Sequence, residues 1–255
     1  MGFFSHTTIM DIKLLGTKTS YSLSILPYHN YVRHKKFMSM RPIMSLRPSN
    51  VVPKTIYSDS WLDLMAINYV SRNLQAVSGM SVEEEGYIGL VETCKAVSLK
   101  YSPLQQRQLS LDSLNRGIPT QVFHLLKAIL PNTKCIREML AKTTSLCFAW
   151  LVGPSQVKES ELNGQTEKNV VHIKKCRFLE SSNCVGMCTN LCKLPSQTFI
   201  NDSLGVPVTM VPNFEDMSCE IIFGKGPPSI ENDRVTKQPC YNQCKIRRIH
   251  SDALL

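Results

Sequence analysis

The chain has 255 residues, of which 43% are apolar, and a formal net charge of +9 at neutral pH. This length can bury a sizeable core in one or two domains, and the apolar fraction is ordinary for a globular protein, which excludes a wholly disordered chain. The longest apolar run, residues 146–152, is far shorter than the roughly 18 residues that cross a bilayer. No membrane-spanning helix is therefore predicted, and any membrane contact is expected at the surface.

The first 50 residues carry most of the positive charge. They hold seven Lys or Arg residues against one acid, Asp11. They are rich in Ser, Thr and Tyr, and they lack the sustained apolar stretch of a secretory signal peptide. This composition is typical of an organellar transit peptide, plastid or mitochondrial, with a disordered tail of no targeting value as the alternative. Residues 1–50 are accordingly expected to be a disordered transit peptide outside the fold.

Residues 57–153 show the apolar spacing and the capping signals of a helical domain. Ser58, Asp59 and Ser60 offer a choice of capping residues before apolar residues at intervals of three and four, and Gly79 ends that pattern. Pro103 after Ser102 and a terminal Gly117 delimit a further helix in the same way. About five helices are predicted, beginning near residues 58, 81, 103, 119 and 132.

The end of the fifth predicted helix is apolar on every side. A helix of this kind is either buried centrally, which is the commoner case, or pressed against lipid or an apolar ligand. Phe148 and Trp150 lie in this stretch, so both of them are candidates for contact with an apolar ligand.

The composition and the pattern of the sequence change after residue 153. Residues 154–169 are polar and contain the turn signal Asn163-Gly164, and we expect them to form a linker. Strand and helix signals alternate over residues 170–244, and residues 245–255 form a basic tail. The predicted fold class is α+β, with a helical N-terminal half and a small Cys-rich α+β C-terminal domain. No aromatic residues interleave the basic tail, so no nucleic-acid partner is predicted.

Seven of the ten cysteines lie in the last eighty residues. Cys184, Cys188 and Cys192 recur at every fourth position, so on a helix their thiols share one side. The spacing matches neither a zinc signature nor a ferredoxin run, which leaves a metal site, redox or disulfide pairs, and inert packing open. The remaining candidate metal ligands are Cys176, Cys219, Cys240 and Cys244, with His172 as a weaker one.

Several long motifs resemble a known family. Residues 171–180 (VHIKKCRFLE), 184–199 (CVGMCTNLCKLPSQTF), 212–220 (PNFEDMSCE) and 237–240 (KQPC) look like the C-terminal domain of the plastid β-carotene isomerases of strigolactone biosynthesis, the Dwarf27-type family. Residues 61–79 and 148–154 resemble the helical half of the same family, so the resemblance covers about residues 57–244.

This resemblance implies a plastid, iron-containing enzyme that interconverts all-trans and 9-cis β-carotene. Cys184, Cys188 and Cys192 are then expected to hold a non-haem iron, either mononuclear or in an iron–sulfur cluster, with the other candidates named above as further ligands. The carotenoid is expected to contact Phe148, Trp150 and the turn around Phe214. Because the substrate dissolves in lipid, loading from the plastid membrane surface is expected as well. The alternative is a non-catalytic plastid metal- or redox-binding module with structural cysteines.

Overall fold

The computed structural model of the protein describes residues 55–117, 127 and 131–242. The predicted transit peptide, the basic tail, Cys244 and the predicted fourth helix, apart from Lys127, lie outside the described residues. Among the helices that are described, none is both long enough and apolar enough to cross a membrane.

Helices form the first half of the described chain, as predicted. The first begins with a capping box between Ser60 and Asp63 and ends at Gly79, which is left-handed at φ 62°. The second begins five residues later than predicted, at Gly86, whose amide donates to the Asn68 Oδ1 at 3.0 Å. The helices of this half are α1 (Trp61–Ser78), α2 (Gly86–Lys100), α3 (Pro103–Gly117), α4 (Lys134–Cys147) and α5 (Ala149–Val152).

The predicted linker is wrong, because residues 155–173 form a β-hairpin. Asn163 and Gly164 both have positive φ, 53° and 75°, which is the type I′ geometry that matches the twist of two paired strands. Alternating burial along the second strand shows why polar sequence was mistaken for a linker: one face of the hairpin is exposed. The strands are β1 (Ser155–Leu162), β2 (Gln165–Ile173), β3 (Val208–Pro212) and β4 (Cys219–Phe223).

The strands form one antiparallel sheet in the order β1-β2-β4-β3. Helix α4 packs on the sheet through a buried ion pair, in which Arg137 donates to both Glu167 oxygens at 2.8 and 2.5 Å. The helix approaches closely because Gly224 has no side chain: a Cβ there would lie 2.4 Å from the Arg137 Cδ.

Residues 185–204 form one continuous helix in three parts: α7 (Val185–Met187), a π-helical segment (Cys188–Lys193) and α8 (Leu194–Leu204). Pro195 explains the wide π turn, because it has no N–H to donate to the Leu191 carbonyl four residues earlier. The Ser110 hydroxyl of α3 donates to that carbonyl instead, at 2.8 Å.

Helix α8 also covers one of the two edges of the sheet. The strand at that edge is β3, and its Met210 amide donates to the Gln197 Oε1 of α8 at 2.8 Å. Further short helices are α6 (Arg177–Ser182), before α7, and a 3₁₀ turn (Ile230–Asn232) and α9 (Pro239–Asn242), after the sheet.

The two predicted halves share one hydrophobic core. It joins residues of α1 and α2, such as Ile67 and Val97, to sheet residues such as Ile173 and Phe223, all of them fully or almost fully buried. The described residues accordingly form a single compact unit. The α+β class is confirmed, with the helices and the sheet packed together.

Candidate functional site

Four cysteines from different elements meet inside the core. Cys176 caps α6, Cys188 and Cys192 belong to the π segment, and Cys219 begins β4. The Cys188 thiol is close enough to the other three to interact with them electrostatically. We call these four residues the thiol cluster.

Burial holds the thiol cluster in its neutral form. Cys176, Cys188 and Cys219 are at most 7% exposed. Burial is the largest cause that raises the pKa of all four thiols, and their mutual charge repulsion adds to it at Cys188, Cys192 and Cys219. Without a bound cation these groups are therefore thiols at neutral pH.

The thiol cluster has the donor chemistry of an iron site, because thiolate sulfur is the ligand of iron–sulfur centres and binds soft transition metals. The four side chains, however, are not arranged as a coordination sphere. Among the described residues, no three Cys, His, Asp or Glu side chains are arranged to hold a metal ion. Cys176, Cys184, Cys188, Cys192 and Cys219 form no disulfide bond with another described residue.

The other candidate ligands differ from the cluster in exposure and in their partners, or lie outside the description. Cys184 caps α7 and is half-buried, Cys240 is exposed in α9, and Cys244 lies beyond the described residues. His172 lies on β2 directly opposite Glu220 of β4, and its Nδ1 is 3.2 Å from the Glu220 carboxylate. His172 therefore has a carboxylate on the neighbouring strand of the sheet as its hydrogen-bonding partner.

An apolar cavity lies against the thiol cluster. Its volume is about 160 Å³, and α4, α5, the π segment, α8 and the two strands β3 and β4 contribute to its wall. Cys192 is the one cysteine in that wall, and the other residues are almost all aliphatic or aromatic. The lining residues are Leu114, Thr144, Phe148, Leu151, Val152, Cys192, Ser196, Phe199, Ile200, Met210, Ile221 and Phe223.

The three aromatic residues that were predicted to contact a ligand lie in three different environments. Phe148 lines the cavity and is 44% exposed, so it lies at the boundary between the cavity and the surface. Trp150 stands behind it, with the two ring centroids 6.2 Å apart. Phe214 packs against Val185 and Val235 and takes no part in the cavity wall.

The apolar stretch before β1 reaches the surface, so central burial, which the sequence favoured, is wrong for its first part. Leu146 is 80% exposed and Phe148 is 44% exposed, whereas Val152 is buried at 6%. The alternative, an apolar helix end that faces lipid or an apolar ligand, fits this arrangement.

A second group of residues, centred on Arg177, holds α5, which forms part of the cavity wall. The Arg177 guanidinium donates to both Asp59 oxygens at 2.5 and 2.7 Å and lies over the rings of Tyr57 and Tyr87. The same guanidinium donates to the Trp150 carbonyl at 2.9 Å. We call Arg177 with Asp59, Tyr57 and Tyr87 the Arg177 latch. It holds α5, which carries part of the cavity wall, against α6, which carries Cys176.

Sequence reasoning missed most of the cavity wall and the whole Arg177 latch. Phe199, Ile200 and Met210 looked like ordinary core positions, because apolar spacing does not distinguish a cavity wall from a filled core. Tyr57 contacts Glu180, and Asp59 contacts Arg177. Each pair is more than a hundred residues apart in the sequence, so no local sequence pattern predicts it.

Comparisons with known proteins give consistent matches. A family model described as "Beta-carotene isomerase D27-like, C-terminal" matches residues 150–232. The chain is 46% identical over 254 residues to the chloroplastic β-carotene isomerase D27 of Medicago truncatula, which covers 96% of this chain and 100% of the relative. It is 44% identical over 247 residues to the chloroplastic β-carotene isomerase D27 of Arabidopsis thaliana, with 96% and 93% covered.

No solved structure gives a significant match to the chain. The resemblance predicted from the motifs is confirmed over nearly the full length, together with the predicted enzyme class and the chloroplast location that both relatives' names carry.

Proposed function

Because the chain belongs to the β-carotene isomerase D27 family, we propose that it is a chloroplast enzyme that isomerises a carotenoid between cis and trans forms. The proposed reaction interconverts all-trans and 9-cis β-carotene, as an early step towards strigolactones. The observation that carries the proposal is the apolar cavity with Cys192 in its wall.

The cavity suits one part of a long hydrocarbon. Sites that enclose a whole small ligand usually measure about 300–1,000 Å³, and a cavity of about 160 Å³ is smaller than this range. One segment of the polyene is therefore bound inside, and the remainder extends past Phe148 towards the surface. Burial of this segment excludes water and holds the double bond in one position relative to the wall.

The reaction requires no transfer of atoms, only rotation about a double bond whose order is lowered for a moment. Cys192 places a soft, polarisable sulfur beside the bound polyene. Its raised pKa keeps this sulfur in the neutral thiol form, so Cys192 contacts an apolar substrate without adding a charge to the cavity. The Arg177 latch keeps α5 and Phe148 in place while the substrate rotates.

Iron remains part of the proposal, with the thiol cluster as its holder. Cys176, Cys188 and Cys219 would supply the sulfur ligands, Cys192 would lie between the ligands and the substrate, and Cys184, Cys240, Cys244 and His172 are further candidates. When bound, iron would supply electron exchange with the π system or polarisation as a Lewis acid.

The decisive experiment compares two cysteine variants of the purified full chain. We expect Cys192→Ser to lose at least about tenfold in the rate of β-carotene isomerisation, because the sulfur at the cavity wall is replaced by a hydroxyl. Cys147→Ser changes an exposed cysteine on α4 and should keep the wild-type rate. Chromatography of the carotenoid isomers after anaerobic incubation measures both rates, and equal rates in the two variants would contradict a role for Cys192.

A second candidate function follows from the buried, neutral thiols, which favour a non-catalytic module with structural cysteines. Metal analysis of the wild type and Cys188→Ser, run beside the isomer chromatography, separates the two. Bound iron that disappears in Cys188→Ser together with turnover supports the isomerase. Bound metal without isomerisation of any carotenoid supports the module.

A further inference from the structure

A second cavity lies on the other side of the π segment, and its charge differs from that of the apolar cavity. It has a volume of about 420 Å³, and its wall includes β3 and the loop from Lys225 to Val235. Three cationic side chains, Lys193, Lys225 and Arg234, line it with a single carboxylate, Asp233. The volume lies within the range of about 300–1,000 Å³ of sites for small molecules.

Lys193 is a buried cation with donors to spare. Its side chain is 3% exposed, and its ammonium forms a short ion pair with the Asp233 Oδ2. The other Asp233 oxygen accepts from the Val235 amide at 3.1 Å, so both carboxylate oxygens are in use. An ammonium carries three N–H donors, and within the described residues only Asp233 accepts from this one.

Lys225 and Arg234 add two exposed cations to the same cavity. Neither of them forms an ion pair with another described residue. Since Asp233 is neutralised by Lys193, the cavity has an excess of two positive charges. A cationic ligand is disfavoured by this excess, and a purely apolar ligand would leave the spare Lys193 donors without acceptors.

We propose that this cavity is a binding site for an oxyanion of the phosphate class, carried on a small organic group. The spare donors of Lys193 contact the anion at the buried end of the cavity, and Lys225 and Arg234 contact it at the exposed end. Two sources share this chemistry: a soluble phosphate ester and the headgroup of an anionic lipid. The site is separate from the carotenoid cavity, and Met210 lies in the walls of both.

The test uses the full chain and a matched pair of double variants at constant ionic strength, because exposed charges are screened by salt. Lys225→Ala with Arg234→Ala removes the two exposed cations and leaves the buried Lys193–Asp233 pair intact. Arg72→Ala with Lys158→Ala removes the same charge from exposed positions on α1 and β1. Circular dichroism checks that both variants are folded.

Calorimetric titration with inorganic phosphate and with glycerol 3-phosphate measures binding of the soluble form. Co-sedimentation with phosphatidylcholine vesicles, with and without phosphatidylglycerol, measures binding of the headgroup. We expect saturable binding by the wild type, a loss of about tenfold or more in Lys225→Ala/Arg234→Ala, and little change in Arg72→Ala/Lys158→Ala.

Glycerol 3-phosphate bound in solution identifies a soluble ester as the ligand. Tighter binding to vesicles with phosphatidylglycerol than to phosphatidylcholine alone, lost in Lys225→Ala/Arg234→Ala and without binding of glycerol 3-phosphate, identifies a lipid headgroup. No binding of either phosphate together with equal binding to the two kinds of vesicle, or an equal loss in both double variants, would overturn the proposal. None of these measurements depends on isomerase activity, so their outcome is independent of the carotenoid proposal.

Discussion

At the scale of single residues, Arg177 joins several distant parts of the chain. Its guanidinium satisfies a carboxylate, a backbone carbonyl and two aromatic rings that come from three other segments. The planar guanidinium of arginine makes all of these contacts at once. The ammonium of lysine cannot, because it lacks both the bidentate geometry and the flat face. The charge alone is therefore insufficient at this position.

Arg177→Lys should lower the free energy of unfolding by about 2–4 kcal/mol, because the two hydrogen bonds to Asp59 and the ring stacking of a buried cation are lost together. Arg107→Lys is the control, since Arg107 makes one contact of 3.0 Å to the Asn190 Oδ1 and one of 3.5 Å to the Tyr241 hydroxyl. Urea unfolding measures both variants. Equal stability of Arg177→Lys and the wild type would show that the Arg177 latch does not stabilise the fold.

A single carboxylate also sets a dependence on pH. The hydrogen bonds from Arg137 hold the pKa of Glu167 below its ordinary value of 4.5. A depressed pKa in the folded state means that the ion pair contributes stability above about pH 4.5, and that this contribution is lost as the pH falls through the folded-state pKa.

Glu167→Gln should therefore cost about 3 kcal/mol at pH 7, where it leaves the buried Arg137 without its charge partner, and progressively less towards pH 3. Glu159→Gln is the matched control, because Glu159 faces Lys168 at 3.8 Å with both side chains more than half exposed. Thermal unfolding over pH 3–7 measures the difference. A constant cost of Glu167→Gln at every pH would contradict the assignment.

At the scale of elements, the π segment shows how one proline changes a whole helix. Pro195 cannot donate to the Leu191 carbonyl, and Ser110 from a different helix donates to it. Two members of the thiol cluster, Cys188 and Cys192, lie in this widened segment. Spacing in the sequence correctly placed these cysteines on a helix, but it could not show how that helix is wound.

The compensation between Ser110 and Pro195 is measurable as a double-mutant cycle. Ser110→Ala should cost about 1–3 kcal/mol of unfolding free energy, because the buried Leu191 carbonyl loses its donor. The same change in a Pro195→Ala background should cost clearly less, because residue 195 then has an N–H for that carbonyl. Ser113→Ala, a similarly buried serine of α3, serves as the control in both backgrounds. Equal costs of Ser110→Ala in the two backgrounds would contradict the explanation of the π turn.

At the scale of the whole molecule, the sequence predicted well the helix ends and turns, which depend only on neighbouring residues. A capping residue just before Trp61, the stop at Gly79 and the Asn163-Gly164 turn were all visible in the sequence. The same turn was assigned to a linker, because a hairpin with one exposed face has few apolar residues to reveal it. The single core and the apolar cavity depend on contacts between distant segments, and no periodicity encodes them.

The apolar surface beside the cavity should guide the whole molecule to lipid. We expect Leu146→Gln to weaken binding to neutral phosphatidylcholine vesicles by about tenfold, because a leucine side chain that enters lipid contributes about 1.5–3 kcal/mol. Leu104→Gln is the control, since Leu104 is 74% exposed on α3, close to the 80% exposure of Leu146. Vesicle flotation measures both variants. An equal effect of the two substitutions, or no binding by the wild type, would contradict loading through this surface.

The contact between Gln197 and Met210 has a consequence for the behaviour of the protein in a crowded organelle. β3 is one of the two edge strands of the sheet, and an uncovered edge strand can pair with another chain and start aggregation. Gln197 lies on α8 two residues after Pro195, and its side chain occupies the Met210 amide of β3. At this edge, α8 thus takes up a donor with which a neighbouring copy of the chain could otherwise pair.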